Sequence, residues 1–319
     1  MVLHTSVQPE KKIKIWRMTI NTNTEYKDLR NILHHPGIPL TYLSNPKVAC
    51  STIKNSLLNG FDGNVHSEIE KVCTHPNDQH HTIFTVTRNP FSRALSCYKN
   101  KIGWGKEATG QIWSNFSKRF NLPLKYQPSF YEYLKKLADS EDSPESFDIH
   151  YRPQFFCLHA KHITPSYVGR LEQPQNLREF LGRFSIDLQT RNPRPTQSSE
   201  TYRHEIKPEE AELIQTIYAV DFEHYGYQPE LETLGTPPPI EQNAAISELY
   251  LLRFRLANLG LTTVELRGIA RRRERNGDLT GALLLQRQLQ LLNPDAKDSR
   301  RAIRRLTLEI ETQDIKANR

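Results

Sequence analysis

Twice in this chain a strand-like run passes, through a short loop bearing a cation, into a helix-like run. This repeated junction restricts the fold more than any other feature. The stretch "HTIFTVT" (His81 to Thr87) is β-branched and aromatic throughout and is the clearest strand. It leads into "RNP", where Pro90 suits the first position of the helix "FSRALSCYKNK". Upstream, "IPLTYLSNP" reads as a buried strand, and Cys50 to Leu58 as a helix with Ser51 and Thr52 in its first turn. Downstream, "SYVGRLE" (Ser166 to Glu172) is a further strand, and "NLREFLGRF" the helix after it. A polar, aromatic-rich insertion from Gly103 to Ser129 precedes a short helix near Tyr131 to Ala138. The run "KPEEAELIQTIYAVDFEHYGY" starts with Pro208 and acidic residues and continues as an amphipathic helix. Strands alternating with helices predict an α/β fold, a parallel sheet with helices on both faces. Ligands of such sheets sit at the carboxyl ends of strands, where both cationic loops fall.

The flanks are different. Residues 1–36 are polar and irregular and read as an N-terminal arm, leaving 37–234 as the main domain. In "GTPPPI" (Gly235 to Ile240) three prolines exclude helix and central strand, so 235–240 reads as a linker. Residues 241–319 are helix-like throughout. There "GDLTGALLLQRQLQLLNP" has the pattern of one tetratricopeptide-like helix pair, too little to bury its own face. A helical appendage that packs on the core or on a second copy of the chain is the expectation.

The net charge of +7 suggests an acidic ligand. The excess is spread along the chain, which weakens a nucleic-acid reading, since that wants one clustered basic stripe. No stretch is apolar enough for a signal peptide or membrane anchor, so the expectation is a soluble, cytoplasmic protein without membrane insertion. The cysteines Cys50, Cys73, Cys97 and Cys157 lie far apart without a CxxC pair, so neither zinc nor disulfides are expected.

"PKVACSTIK" (Pro46 to Lys54) has the makings of an anion site. N–H groups at a helix start and the helix dipole favour an anion. Lys47 adds a movable charge, and Ser51 and Thr52 add hydroxyl donors. It is not the ATP-binding loop, whose lysine follows the glycines. In the second junction Arg88 ends a strand and Ser96 lies eight residues on, a pair able to hold another phosphate. Alone, each is equally a surface lysine or a plain ion pair; together they are more specific.

"NPKVACSTIKNSLL" resembles the 5′-phosphosulfate loop of carbohydrate sulfotransferases that use 3′-phosphoadenosine 5′-phosphosulfate (PAPS). "FTVTRNPFSRALSCYKNK" is similar to their 3′-phosphate motif. "DIHYRPQFFCL" looks like a His-Trp-Arg-Pro-Gln segment of the chondroitin-type branch, with Tyr151 in place of Trp. "YVGRLEQPQNLREFL" and "YAVDFEHYGY" match the later strand and closing helix, so the resemblance runs over about residues 38–228 in order. It implies a P-loop-like α/β sulfotransferase fold. It also implies that Lys47, Val48, Ala49, Cys50, Ser51, Thr52, Ile53, Arg88 and Ser96 bind PAPS, with 3′-phosphoadenosine 5′-phosphate (PAP) as product. Two departures stand out. The animal members carry an N-terminal membrane helix that has no counterpart here, which points to a soluble, bacterial-type member. The loop's usual aromatic position is Ile53.

The implied reaction is in-line transfer of a sulfuryl group to a hydroxyl of a glycan or oligosaccharide acceptor. Lys47 would neutralise charge on the leaving phosphate, and no metal is required. His66 of "NVHSEIEK" is the expected base, matching a histidine of the heparan 2-O-sulfotransferases, with His75, His80 and His81 competing for the role. His150 and Arg152 either line the acceptor pocket or serve as buried scaffold. A kinase-like phosphotransferase lacks its glycine-rich loop and magnesium ligands here. A non-catalytic module for acidic glycans or nucleic acid leaves the placement of both cations at strand ends unexplained. Acceptor choice is expected from loops at Gly103 to Ser129 and Arg191 to Arg203, and a homo-oligomer through the C-terminal helices is possible.

Overall fold

The computed structural model describes residues 31–35, 37–72, 82–103, 110–188, 198–247, 250, 252 and 262–317. The chain divides into two compact units, one spanning residues 30–245 and the other holding the residues from Ile246 onward.

The first unit is built on a five-stranded sheet of β1 (Ile32–His34), β2 (Leu40–Leu43), β3 (Thr82–Thr87), β5 (Tyr167–Arg170) and β6 (Ile240–Glu241), in the order β1-β2-β3-β5-β6; a two-residue β4 (Ile163–Thr164) lies outside it. β3 is buried on both faces, which is why its sequence is unbroken β-branched and aromatic rather than alternating. Its threonines survive burial by hydrogen bonding within the sheet. Thr85 Oγ1 donates to the Leu43 carbonyl at 2.8 Å and Thr87 Oγ1 to that of Gly169 at 3.3 Å.

The sheet is mixed, not wholly parallel as the alternation predicted. β2, β3 and β5 run parallel, while β1 and β6 close the edges antiparallel. Only residues 35–39 separate β1 from β2, and a parallel crossover needs about a dozen or more, so the chain can only fold back as a hairpin. Within the expected arm, then, Ile32–His34 forms an edge strand. The proline-rich segment likewise ends in β6, whose Ile240 and Glu241 pair with Val168 and Tyr167. An edge place suits a strand that prolines have just released.

Helices cover both faces. α1 (Cys50–Leu57) and α2 (Val65–Val72) follow β2, and α7 (Pro174–Gly182) follows β5. With the sheet they enclose a core of Leu40, Tyr42, Val48, Ile53, Ile69, Phe84 and Phe180, in which Tyr167 and Phe180 stack at 4.0 Å. After β3, α3 (Pro90–Cys97) begins at Pro90 with Asn89 Oδ1 accepting the Phe91 N–H at 3.0 Å. It continues as a π-helical turn, Tyr98–Ile102. α4 (Gln111–Arg119) lies within the expected insertion, α5 (Phe130–Ala138) starts with a Ser129–Glu132 capping box, and the short α6 (Gln154–Cys157) follows. Past α8 (Ser198–Glu205), the amphipathic run from Pro208 splits at Tyr218 into α9 (Pro208–Ile217) and α10 (Ala219–Tyr225). Tyr218 is drawn inward, where its hydroxyl donates to the Tyr151 carbonyl at 3.0 Å.

The second unit contains helices Thr263–Arg275, Leu279–Leu292 and Lys297–Ala317, each packed on the next. Ala270, Ala282 and Leu306 are fully buried between them. The first begins with a Thr262–Glu265 capping box, and Asp278 caps the second at Gly281 N–H, 2.9 Å.

Candidate active site

The loop between β2 and α1 is shaped by its neighbours. Lys47 and Ala49 both lie in the left-handed region, at φ 69° and 58°. Such a conformation costs a non-glycine residue about 1–3 kcal/mol and persists only where surroundings impose it. Here they do. The Pro46 carbonyl accepts from Arg93 Nε at 3.2 Å and the Lys47 carbonyl from an Arg88 terminal nitrogen at 3.1 Å. Buried Asn45 donates to the Val86 carbonyl at 3.2 Å and to Gln154 Oε1 at 2.9 Å. Alternating left-handed residues swing successive N–H groups into one concavity, a nest suited to an anion. α1 continues it, since Ile53 N–H bonding to Ala49 O at 3.1 Å leaves the N–H groups of Cys50 and Ser51 ahead of that bond.

The predicted loop residues separate by role. Val48 and Ile53 turn their side chains into the core, and the Ile53 N–H is already used. Ile53 is therefore not placed to stack on a ring, whatever residue type occupies it elsewhere. Lys47, Ala49, Cys50, Ser51 and Thr52 are at least partly accessible. The Lys47 ammonium donates to Asn100 Oδ1 at 2.7 Å, across to the π-helical turn. Burial pulls its pKa down to about 8, with Lys101 and Arg88 pushing the same way against Cys97.

Arg88, 6% exposed, sits at the end of β3. Its Nε donates to Ser92 Oγ at 2.9 Å. Ser96, expected to share a phosphate with Arg88, is buried one turn further along α3. Burial lowers Arg88 to about pKa 10, opposed by Glu172 and assisted by Arg93, so it stays charged at neutral pH. Glu172 also accepts the Asn89 N–H at 2.7 Å, tying the end of β5 to the start of α3.

Four residues without a role in the sequence reading hold these loops together. Gln154 Oε1 accepts from Arg88 N–H at 2.9 Å as well as from Asn45, while its Nε2 donates to the Arg88 carbonyl at 2.8 Å. Asp221, fully buried on α10, accepts the N–H groups of Gln154 and Phe155, both at 2.8 Å. Burial pushes that carboxyl up to about 6 against Arg93 and these N–H donors. The fully buried Arg93 guanidinium binds the Pro46, Arg152 and Ile149 carbonyls. Lys54 reaches His66, below. Gln154 and Arg93 lay inside the motif segments; their signal was burial of a polar group, which spacing does not report.

His66 comes back to the loop. Its Nε2 lies 2.9 Å from Ser51 Oγ and its Nδ1 3.2 Å from Lys54 Nζ. Desolvation, then Lys54, His150 and Lys101, pull its pKa down to about 4, so the ring is neutral at pH 7. His150 Nδ1 lies 2.7 Å from Asp148 Oδ1. Arg152 is buried, its Nε donating to the Phe147 carbonyl at 2.8 Å. His75, His80, His81 and Cys73 lie outside the described residues. Among the described residues no group of side chains is arranged to hold a metal ion, and no helix is long and apolar enough to cross a membrane.

A lysine loop with left-handed backbone at one strand end, a buried arginine at the next and a glutamine bonded to both segments lie together on an α/β sheet. Residues 30–228 match the Sulfotransferase family, and the chain belongs to it. It is similar to carbohydrate sulfotransferase 14 of Mus musculus, 27% identical over 168 residues, and to that of Homo sapiens, 26% identical over the same length. Each alignment covers 46% of this chain and 44% of the relative, so the chain spans less than half the length of these curated relatives. No solved structure matches it significantly.

Proposed function

We propose that this protein transfers a sulfuryl group from PAPS to a hydroxyl of a carbohydrate acceptor. The observation that supports the reading best is the bond from Arg88 to the Lys47 carbonyl, 3.1 Å, which ties together the two loops that bear the candidate anion-binding residues. The nest and the first turn of α1 suit the 5′ end of the donor, and the buried guanidinium of Arg88 suits its 3′-phosphate. PAPS supplies the activated sulfuryl group and a phosphate leaving group. Lys47, on a flexible stem beside the nest, meets charge as it grows on the leaving oxygen. The N–H groups of Cys50 and Ser51 orient the transferring end, and a histidine at the loop accepts the acceptor's proton.

The glycan class of acceptor follows the names of the relatives and is part of the proposal. Titration calorimetry tests the donor. PAP should bind more tightly than AMP or ATP, because only PAP carries the 3′-phosphate; equal affinities overturn the reading. Transfer of labelled sulfate from PAPS across a panel of glycans then tests the acceptor.

A further inference from the structure

On that reading the acceptor hydroxyl must lose a proton, and two described histidines are candidates: His66, bonded to Ser51 of the loop, and His150, near enough to help lower the His66 pKa. Their hydrogen bonds put the ring protons on opposite nitrogens. A lysine ammonium can only donate. At 3.2 Å from His66 Nδ1, Lys54 therefore makes Nδ1 the acceptor. The proton of the neutral ring then resides on Nε2, which donates to Ser51 Oγ at 2.9 Å. Both ring nitrogens of His66 are engaged, and its one lone pair faces a cation.

His150 is the reverse. A carboxylate can only accept, so Asp148 Oδ1 at 2.7 Å fixes the proton on Nδ1 and leaves the lone pair on Nε2. The Asp148 side chain is held by more than this bond, since Oδ1 also accepts the His150 backbone N–H at 3.0 Å. Burial raises the Asp148 carboxyl, but His150 and Arg152 outweigh it and keep the group below the usual range, hence ionised. The two side chains are 24% and 25% exposed, anchored yet open to an acceptor. Arg93 ties the backbone beside this pair to the backbone of the anion loop, and His150 is near enough to His66 to help lower its pKa. One guanidinium donates to Pro46 O in the anion loop at 3.2 Å and to Ile149 O, next to His150, at 3.2 Å.

We propose that His150, oriented by Asp148, is the general base, and that His66 instead steadies Ser51 of the anion loop. The acceptor O–H bond breaks and its proton passes to His150 Nε2. The acceptor oxygen bonds to sulfur as the bond from sulfur to the bridging oxygen breaks. That electron pair stays on the phosphate, beside Lys47. Asp148 balances the imidazolium that results.

The test has two arms on the full chain. In ¹⁵N-histidine spectra at neutral pH with PAP bound, His150 should be the Nδ1–H tautomer and His66 the Nε2–H tautomer. The opposite pair overturns the assignment whether or not an acceptor is known. In transfer assays His150→Gln should lower turnover by about 10²–10⁴-fold with PAP affinity kept. Asp148→Asn should lower it by about 10–100-fold, and added imidazole should restore part of the activity of His150→Ala. His66→Gln should have the smallest effect. A His150→Gln protein that turns over normally while His66→Gln is dead overturns the proposal. So does one that loses turnover only because it no longer binds PAP. An unmodified protein unable to bind PAP overturns the sulfotransfer reading itself, and is recognised before any variant is compared.

Discussion

Lys47 and Arg88 lie on neighbouring loops and share a hydrogen bond, yet the fold treats the two cations differently. Arg88 is buried, spends donors on Ser92 and the Lys47 carbonyl, and keeps its charge against burial with the help of Glu172. Lys47 is half-buried, with one side-chain bond to Asn100 and a pKa drawn down to about 8. The first is a fixed planar fork that gives geometry. The second is a mobile point charge, close to titration, that can follow charge as it moves. In the proposed reaction, where one end of the donor is held still while the other reacts, the two kinds would have complementary uses.

That contrast breaks most readily at Arg88. Arg88→Ala should weaken PAP binding by about 2–5 kcal/mol in calorimetry, the usual effect of removing one partner of a buried charge pair. An affinity change under threefold would place the 3′-phosphate elsewhere. Lys47→Ala should act chiefly on turnover, about 10²–10³-fold, with a smaller change in PAP affinity. Equal losses in binding and turnover would make Lys47 a second Arg88.

Stability sharpens the comparison from outside the loops. A chain ending at Gly235 lacks β6 and the Pro238 carbonyl, to which fully buried Arg170 donates at 3.2 Å. It should lose about 1–3 kcal/mol in denaturant unfolding, because that donor is left unsatisfied. A chain ending at Ser247 keeps both and should bind PAP within a few-fold of the full chain. Equal stability of the two truncations would show that β6 contributes nothing.

The smallest effect is protonic. Free Lys47 titrates near pH 8 because burial favours its neutral form. A bound anion favours the ammonium and raises that pKa. Binding should therefore take up a proton above the free pKa, and PAP affinity should fall as pH rises through 8. Calorimetry in buffers of different ionisation heat should show about half a proton more taken up by the unmodified protein than by Lys47→Met at pH 8, a difference that almost vanishes at pH 6.5. Arg88, charged throughout, contributes none.

The strand at β3, the helix from Pro90 and the cationic junctions were legible because period, proline placement and strand-end position are local properties. The antiparallel edges were not. Ile32–His34 is too short to announce a strand, and Ile240–Glu241 is hidden behind prolines. Lys47, Arg88 and His66 could be named as candidates from position in the chain, and the structure brings them near one loop. The clasp by Gln154, Arg93 and Asp221 could not, since each bridges segments far apart in sequence. The bond from Arg88 to Ser92 was not foreseen either, although the two lie only one helical turn apart. The His150–Asp148 bond joins residues two apart and is local enough to have been suspected.

The anion loop contains no glycine, although two of its residues sit where glycine is at ease. Its shape is therefore borrowed from the arginines and the glutamine around it and is not a property of the nine residues themselves. Copied alone onto another strand–helix junction, "PKVACSTIK" should relax to ordinary backbone angles and bind nothing. Transplanting this site means moving Arg88, Arg93 and Gln154 with it, and with them most of the sheet end.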